Sequence, residues 1–396
     1  MREDEGLQMK LFSNQNRKWE QVPGSVLTIL FFLFIFLTGG YSLKNYYDVR
    51  VSGITETQDG YSSEKGFRDN FSILLWNKEY YVEYYGLAAR LLGQPELNEV
   101  VRLKNGYLSG VEEEAPKDQL MQDAKDLAEL KEYLDNRGCR LLYVQTPFKI
   151  SKFEESLPAG IEDYSNQNLD YFLGCLEQYG VDYIDIRQTM YDDGMNQYDY
   201  FFRTDHHWTP EGGFYAYNKI AEYLEENYNI SVDEQVRNID NYRIDNYEDW
   251  HLGTNGQRVG IYYGGIDDFH MISPEFDTQI TNTDTQVSGS YTDVLIEEAV
   301  LRERSAATYD IAYGNSIGSH FYNLNAQNEE RVIVVSDSMG KVVAPFLILS
   351  FREVYTTNYT LNEQILEEYQ PNVVIYITYP ANVDAGGCFH VLEDGE

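Results

Sequence analysis

The fold of this 396-residue chain is decided by the stretch Arg331-Val332-Ile333-Val334-Val335-Ser336-Asp337-Ser338-Met339-Gly340. Its apolar, β-branched half predicts a buried strand, the polar residues predict a tight turn, and a helical pattern begins at Lys341. Such a turn lies at the carboxyl end of a strand and beside a helix N-terminus, whose free N–H groups can stabilise an oxyanion. Ser338 is at the apex of this turn and is therefore a better candidate nucleophile than Ser336.

Strands alternate with helices along most of the chain. That alternation predicts an α/β fold (α/β/α) in which a parallel sheet is flanked by helices on both faces. The predicted strands are residues 100–108, 139–145, 181–186, 331–335, 353–355 and 373–377, and the predicted helices are residues 70–92, 118–136, 164–179 and 361–369.

Residues 231–330 interrupt the alternation. They are rich in Gly, Asn, Asp and Thr, and short runs between glycines, such as residues 257–263, predict hairpins. We therefore expect a β-rich insertion within the sheet domain.

A second segment, Thr204-Asp205-His206-His207-Trp208-Thr209-Pro210, sets an acid and two imidazoles before a predicted helix. In an extended backbone alternate side chains share a face, so Asp205 and His207 are expected to point the same way and His206 the other way. Asp205 can then orient His207, which acts as the general base for a serine such as Ser338.

Neighbouring residues are predicted to support this triad. His206 is expected to pack or hydrogen-bond away from it, and Asp337 to cap or brace the nucleophile turn. Trp208 either walls the site or braces the loop behind it. Thr209 is the predicted N-cap of the next helix, and Pro210 its first residue.

Metal binding by Asp205, His206 and His207 is the competing chemistry for this segment. Adjacent residues rarely ligate one ion together, and the remaining histidines form no tight second cluster in the sequence. We therefore expect neither a metal nor a cofactor. The remaining histidines are His251, His270, His320 and His390.

The Asp-His-His-Trp segment, followed much later by an Asp-Ser block, resembles the DHHW and alginate O-acetyltransferase-like (AlgX/AlgJ-like) branch of the SGNH hydrolase superfamily. In that branch the acid-and-histidine block precedes the serine, as it does here. The resemblance implies an SGNH-like catalytic domain over residues 99–390 and an acyl-serine mechanism. Three further stretches are similar to that family: Asn105-Gly106-Tyr107-Leu108, Thr146-Pro147-Phe148-Lys149 and the glycine-rich residues 253–265.

This chain departs from the family pattern in the serine block. Ser336 replaces the usual glycine, and Gly340 replaces the second serine. The block II glycine and the block III asparagine have no evident counterpart, which leaves the oxyanion hole unassigned.

The sequence of the first hundred residues predicts a membrane anchor. Residues 22–43 carry no charge and can cross a bilayer as a helix, behind a tail over residues 1–21. Residues 44–98 are predicted to form a membrane-proximal stalk and helical segment. More basic residues precede the span than closely follow it, which favours a cytoplasmic N-terminus and an extracytoplasmic catalytic domain at the plasma membrane.

The net charge of −35 excludes some partners. Such a field repels polyanions, so nucleic acid is not an expected partner and a neutral glycan is a more attractive substrate than a strongly anionic one. Three cysteines are too few for a disulfide framework, and buried thiols are expected. The 35 tyrosines fit either stacking on sugar rings or ordinary core packing. The cysteines are Cys139, Cys175 and Cys388.

The family resemblance and the predicted anchor together imply an O-acetyltransferase that modifies a cell-surface or exported polysaccharide. A membrane-bound O-acyltransferase partner, implied by the resemblance alone, would supply the acetyl group. Two alternatives stay open at this point: a carbohydrate acetylesterase with the same triad, and a non-catalytic glycan-binding or scaffold subunit of an export complex.

Overall fold

The computed structural model describes residues 24–51, 78–302, 307–358, 361–383 and 391–392. Packing divides the chain into two compact units, Met1–Val82 and Glu83–Glu396. The predicted tail over residues 1–21, and Cys388 and His390, lie outside the described residues. Within those residues no helix has both the length and the apolar character needed to cross a membrane, and the anchor over residues 22–43 stays a prediction.

Helices occur along the whole described part of the chain. The α-helices are α1 (Gly24–Val51), α2 (Lys78–Leu91), α3 (Lys117–Asp135), α4 (Ser165–Tyr179), α5 (Ile186–Asp192), α6 (Pro210–Tyr228), α7 (Glu234–Arg237), α8 (Thr254–Val259), α9 (Ile261–Gly264), α10 (Tyr291–Leu295), α11 (Thr308–Ala312), α12 (Ala344–Ser350) and α13 (Glu363–Tyr369). Short 3₁₀ helices cover Gln197–Tyr200, Ile239–Asn241, Glu298–Leu301, Gly314–Ser316, Ser338–Val342 and Pro380–Asn382.

The strands are more numerous than the sequence predicts. They are β1 (Glu96–Leu97), β2 (Val100–Arg102), β3 (Leu108–Ser109), β4 (Arg140–Gln145), β5 (Tyr183–Asp185), β6 (Tyr242–His251), β7 (Asp267–Pro274), β8 (Ile280–Asn282), β9 (Val287–Gly289), β10 (His320–Asn323), β11 (Asn328–Ser336), β12 (Phe351–Thr357), β13 (Leu361–Asn362), β14 (Val373–Thr378) and β15 (Val391–Leu392).

The central sheet has eight strands in the order β5-β4-β14-β11-β12-β10-β8-β9. Its first five strands pair in parallel, which confirms the predicted parallel sheet. The last three pair antiparallel and extend the sheet at one edge. Smaller sheets are formed by β1-β2-β3, by the antiparallel pair β6-β7 and by the parallel pair β13-β15.

Two hydrophobic cores cover the two faces of the sheet. In β4, Leu142 and Val144 face one core, whereas Leu141 and Tyr143 face the other. This alternation follows from the two-residue period of a strand, and it confirms the α/β architecture with helices on both faces. Helices α6 and α12 contribute Tyr217 and Phe346 to the first core, and α3 and α4 contribute Leu127 and Phe172 to the second.

The insertion differs from the expectation. It is a mixture of helices and strands, and its strands β8, β9 and β10 continue the central sheet. The hairpin predicted over residues 257–263 is wrong: these residues belong to helices α8 and α9. Gly260, with a φ of +84°, separates the two helices, and each helix buries an apolar side chain, Val259 in α8 and Tyr263 in α9.

The single strand predicted over residues 100–108 is also wrong. Strands β2 and β3 pair antiparallel across a turn at Gly106, whose φ of +90° places it in the left-handed region. Glycine adopts this conformation without a Cβ clash, so Asn105-Gly106 makes a turn where apolar neighbours favoured an extended strand.

Candidate active site

The nucleophile turn joins β11 to the 3₁₀ helix that starts at Ser338. Asp337 caps this helix: its Oδ1 accepts a hydrogen bond from the Met339 N–H at 2.8 Å. Its Oδ2 accepts from the Tyr379 N–H at 2.5 Å and from Asn382 Nδ2 at 2.9 Å. Asp337 therefore braces the turn, as the sequence predicts, and ties it to the carboxyl end of β14.

His207 lies opposite this turn, with Nε2 2.7 Å from Ser338 Oγ. Its Nδ1 lies 3.2 Å from Asp205 Oδ1, close enough for a strong electrostatic interaction but not aligned as a hydrogen bond. Burial lowers the pKa of His207, and the Asp205 carboxylate offsets only part of that shift. A neutral imidazole is the form that can accept a proton from a serine.

Asp205 is buried and fully surrounded by donors. Its Oδ1 accepts from the His206 N–H at 2.7 Å and from Thr254 Oγ1 at 3.0 Å, and its Oδ2 lies 2.8 Å from His251 Nε2. Burial alone would raise the pKa of Asp205, but the imidazoles around it outweigh burial and hold the pKa well below the usual range. The carboxylate is therefore ionised and fixed in orientation.

His206 is not directed away from the triad, so that expectation is wrong. Residues 203–207 follow a series of bends, and the alternation of an extended strand does not apply to them. The rings of His206 and His207 lie 3.8 Å apart, and His206 Nδ1 lies 3.0 Å from both Asp205 Oδ1 and Thr254 Oγ1. His206 thus forms the outer, half-buried side of the site.

Two aromatic residues hold the base against the nucleophile turn. Trp208 is fully buried, and its Nε1 donates to the Met339 carbonyl at 2.9 Å. Of its two predicted roles, Trp208 therefore has the bracing one. The Tyr309 hydroxyl donates to the Ser338 carbonyl at 2.9 Å, and its ring stacks on His207 with centroids 4.2 Å apart.

A buried lysine fixes the loop that carries the acid and the base. Lys149, just beyond β4, donates from Nζ to the carbonyls of Phe202 and Asp205, and to that of Arg203 at 3.2 Å. Burial lowers the pKa of Lys149 to about 7. Asp267 accepts hydrogen bonds from the backbone N–H groups of Arg203 and Thr204 in the same loop, both at 2.8 Å.

Gly253 allows the insertion to approach this loop closely. A Cβ at Gly253 would lie 2.2 Å from the Cβ of Asp205, so no other residue fits there without movement of the backbone. The Gly253 N–H donates to Thr204 Oγ1 at 3.0 Å. The glycine-rich stretch of the insertion therefore has a packing role at the acid.

The two departures from the family pattern occupy the same space. A Cβ at Gly340 would lie 2.1 Å from Ser336 Oγ. Ser336 thus fills the volume that a side chain at position 340 would need, and each departure makes room for the other.

Four residues of this site could not be found from the sequence: His251, Thr254, Tyr309 and Asp267. They lie 46 to 104 residues from Asp205 in the chain, and the fold alone brings them to it. His251 is one of six histidines, and Thr254 and Asp267 lie in or just after the glycine-rich residues 253–265 that resemble the family, but no spacing links any of them to Asp205.

Asp205, His206 and His207 have ligand atoms within 4.8 Å of one another, which is close enough to hold a metal ion. These atoms already have other partners, however: His207 Nε2 contacts Ser338 Oγ, and His206 Nδ1 contacts Thr254 Oγ1. Ion binding would compete with those contacts. The arrangement fits proton transfer better than metal ligation.

At the carboxyl end of the parallel sheet, Ser338 contacts His207, and His207 lies beside Asp205. Serine-dependent acyl-transfer enzymes have this arrangement. Residues 107–239 match the family model for the SGNH hydrolase-like domain of the acetyltransferase AlgX. The predicted family resemblance is confirmed over these residues, which include Asp205 and His207 and end before Ser338.

Solved structures extend the likeness of the fold. PatB1 of Bacillus cereus matches with a TM-score of 0.62 and 21% identity, over 74% of this chain and 99% of that chain. A DHHW family protein of Eubacterium siraeum matches with a TM-score of 0.57 and 18% identity, over 75% of this chain and 97% of that chain. No curated protein matches the chain.

Proposed function

We propose that this protein is an O-acetyltransferase that acetylates a cell-surface or exported polysaccharide through an acyl-serine at Ser338. The observation that carries the proposal is the 2.7 Å contact between Ser338 Oγ and His207 Nε2, with Asp205 beside the other ring nitrogen. The AlgX-type family model over residues 107–239 supports acetyl transfer as the kind of chemistry.

The mechanism follows from the order of these contacts. Ser338 Oγ attacks the acetyl carbonyl while its proton passes to His207 Nε2, and Asp205 stabilises the imidazolium that forms. The tetrahedral intermediate expels the donor oxygen, which takes the proton from His207. A sugar hydroxyl then attacks the acyl-serine after giving its proton to His207, and Ser338 is restored when its oxygen regains that proton.

The oxyanion needs donors near Ser338. The N–H groups of Met339 and Gly340 already donate to Asp337, at 2.8 and 3.1 Å. We propose that the N–H of Ser338 itself donates a hydrogen bond to the oxyanion. Ser338 is the first residue of the 3₁₀ helix, and the first N–H groups of a helix have no partner within it.

The acceptor decides between transfer and hydrolysis. If water discharges the acyl-serine, the same triad makes a carbohydrate acetylesterase. We favour transfer because the family model is that of an acetyltransferase domain. The acetyl donor in this proposal is a membrane-bound O-acyltransferase partner.

Intact-mass spectrometry of the full chain after brief exposure to an activated acetyl ester tests the proposal, with Ser338→Ala as the control. We expect one acetyl increment on the wild type, absent from the control, because loss of a triad nucleophile costs on the order of 10⁶ in turnover. Faster discharge to an added neutral glycan than to water supports a transferase. Discharge to water alone would indicate an esterase.

A sulfonyl reagent gives a second, independent probe. PatB1 of Bacillus cereus is solved with a sulfonyl adduct, and its fold matches this chain with a TM-score of 0.60. A sulfonyl fluoride should form a bond from its sulfur to Ser338 Oγ, with loss of fluoride and with transfer of the hydroxyl proton to His207 Nε2. No adduct with either reagent would favour the non-catalytic glycan-binding or scaffold subunit.

We also propose that the N-terminal segment anchors the protein in the plasma membrane, with the catalytic domain outside. The uncharged run over residues 22–43 and the basic residues before it support this orientation. Protease added to intact cells should digest the domain beyond Lys44. Protection of that domain would contradict the orientation.

A further inference from the structure

His251 is a second histidine bound to the acid of the triad. It ends strand β6, it is 1% exposed, and its Nε2 lies 2.8 Å from Asp205 Oδ2, the oxygen that His207 does not contact. Its ring packs against Phe202, with centroids 4.5 Å apart. We propose that His251 is a positioning residue for acyl transfer: it donates a hydrogen bond to Asp205 and so fixes the carboxylate that orients His207.

The surroundings define the protonation state of His251. An ionised carboxylate only accepts hydrogen bonds, so Nε2 must carry the proton in this contact. Nδ1 is buried and has no hydrogen-bond partner among the described residues. A proton on Nδ1 would place a charged donor in the interior without an acceptor, which is costly. His251 is therefore neutral, with its proton on Nε2.

A neutral donor on Oδ2 has two consequences for the triad. It fixes the carboxylate plane, since Thr254 and the His206 N–H bind the other oxygen at 3.0 and 2.7 Å. It also draws negative charge toward Oδ2 and makes Asp205 a weaker base. The proton taken from Ser338 therefore stays on His207, from which it is delivered to the leaving group.

This inference rests on the proposed acyl transfer, and it makes a specific prediction of pH dependence. Without the His251 donor the negative charge of Asp205 is less dispersed, and the imidazolium form of His207 is more stable. The acid limb, which is the fall of the acylation rate as His207 becomes protonated at low pH, then moves to higher pH. Among the described residues, the titratable groups that interact with Asp205 or His207 include His206, His251, Lys149, Tyr309, Tyr379 and Asp310.

The test compares two variants of the full chain. His251→Phe keeps an aromatic ring against Phe202 but removes the donor, and His251→Gln keeps an N–H at similar reach. For His251→Phe we expect the acylation rate constant with the activated ester to fall about 10- to 100-fold, as for loss of a hydrogen bond to a charged group, with the acid limb moved upward. His251→Gln should restore most of the rate and return the limb to the wild-type position.

Nitrogen-15 NMR of histidine-labelled wild-type protein tests the contact without any reaction. We expect a neutral ring at His251 with its proton on Nε2, and a change in that signal in Asp205→Asn. A proton on Nδ1, or a His251→Phe variant with the wild-type rate and pH profile, would overturn the proposal. If Ser338→Ala still becomes acylated, the proposed function fails instead, while the NMR result stands independently.

Discussion

At the nucleophile turn, Ser336 and Gly340 show how a departure from a family pattern is accommodated. The Ser336 side chain is buried in the space that a residue at position 340 would occupy, with a separation of 2.1 Å between Ser336 Oγ and an added Cβ. Such a pair is coupled by sterics, because neither position can gain a side chain while the other has one. With Ser336 and Gly340 in place, Asp337 caps the turn and Ser338 Oγ contacts His207 Nε2.

Exchange of the two side chains tests this coupling. Gly340→Ser alone should destabilise the protein by about 1–3 kcal/mol through overpacking, and Ser336→Gly together with Gly340→Ser should recover most of that free energy of unfolding. Denaturant unfolding of the wild type, both single variants and the double variant gives the interaction energy. Additive single effects would show that the two side chains do not compete for space.

The pH dependence of acylation reports on His207. Burial lowers its pKa, so the neutral base persists below the ordinary histidine value of about 6.5. As pH falls, the acylation rate should therefore decline with a midpoint below that value. The measurement is the rate of acetyl-serine formation against pH, corrected with Ser338→Ala. A midpoint above 6.5 would contradict the assigned environment.

At the scale of elements, the end of β4 organises the loop before α6. Lys149 follows β4 and donates to three carbonyls of residues 202–205, while Asp267 at the start of β7 binds two N–H groups of the same loop. Asp205 and His207 thus lie on a loop without regular structure, and Lys149 binds its carbonyl groups while Asp267 binds its N–H groups. This explains how an irregular segment keeps a fixed geometry.

Replacement of Lys149 tests that support. Lys149→Met should lower the free energy of unfolding by roughly 3 kcal/mol, because three buried carbonyls lose a donor. Acylation at Ser338 should also fall, since the loop of Asp205 and His207 is released. The matched control is Lys104→Met: Lys104 is half exposed and pairs with Glu155 at 2.7 Å, so its loss should change stability by less than about 1 kcal/mol.

At the scale of the whole molecule, charge is distributed unevenly along the sequence. The first 21 residues contain four basic and four acidic residues, and residues 22–43 contain none, so the excess of −35 belongs to the remainder of the chain. A polyanionic acceptor must approach the site against this field, whereas a neutral glycan does not.

Acceptor choice should therefore depend on salt. At about 10 mM salt we expect the acetyl-serine to discharge to a neutral oligosaccharide faster than to a polyanionic one of equal length. The difference should narrow near 150 mM, where the Debye length falls from about 30 to about 8 Å. Discharge to water supplies the salt-independent control. A polyanion preferred at low salt would refute a neutral acceptor.

Local sequence determined much of this protein. The apolar runs of β4, β11 and β14 identified the parallel sheet, because a strand buried on both faces must be apolar throughout. The turn after β11 predicted Ser338, and Asp-x-His before a proline-initiated helix predicted Asp205 and His207, and the structure brings these three residues together. Each of these signals lies within about ten residues, where steric and hydrogen-bonding preferences act directly.

The tertiary structure alone decided the rest. Bends in residues 203–207 turn His206 toward the triad, because Lys149 and Asp267 bind the loop backbone and override its extended preference. Two partners of Asp205, His251 and Thr254, come from an insertion whose glycines predicted hairpins. His251 reaches Asp205 only because Gly253 lets two segments pack at van der Waals distance, a contact that depends on the whole fold and on no local pattern.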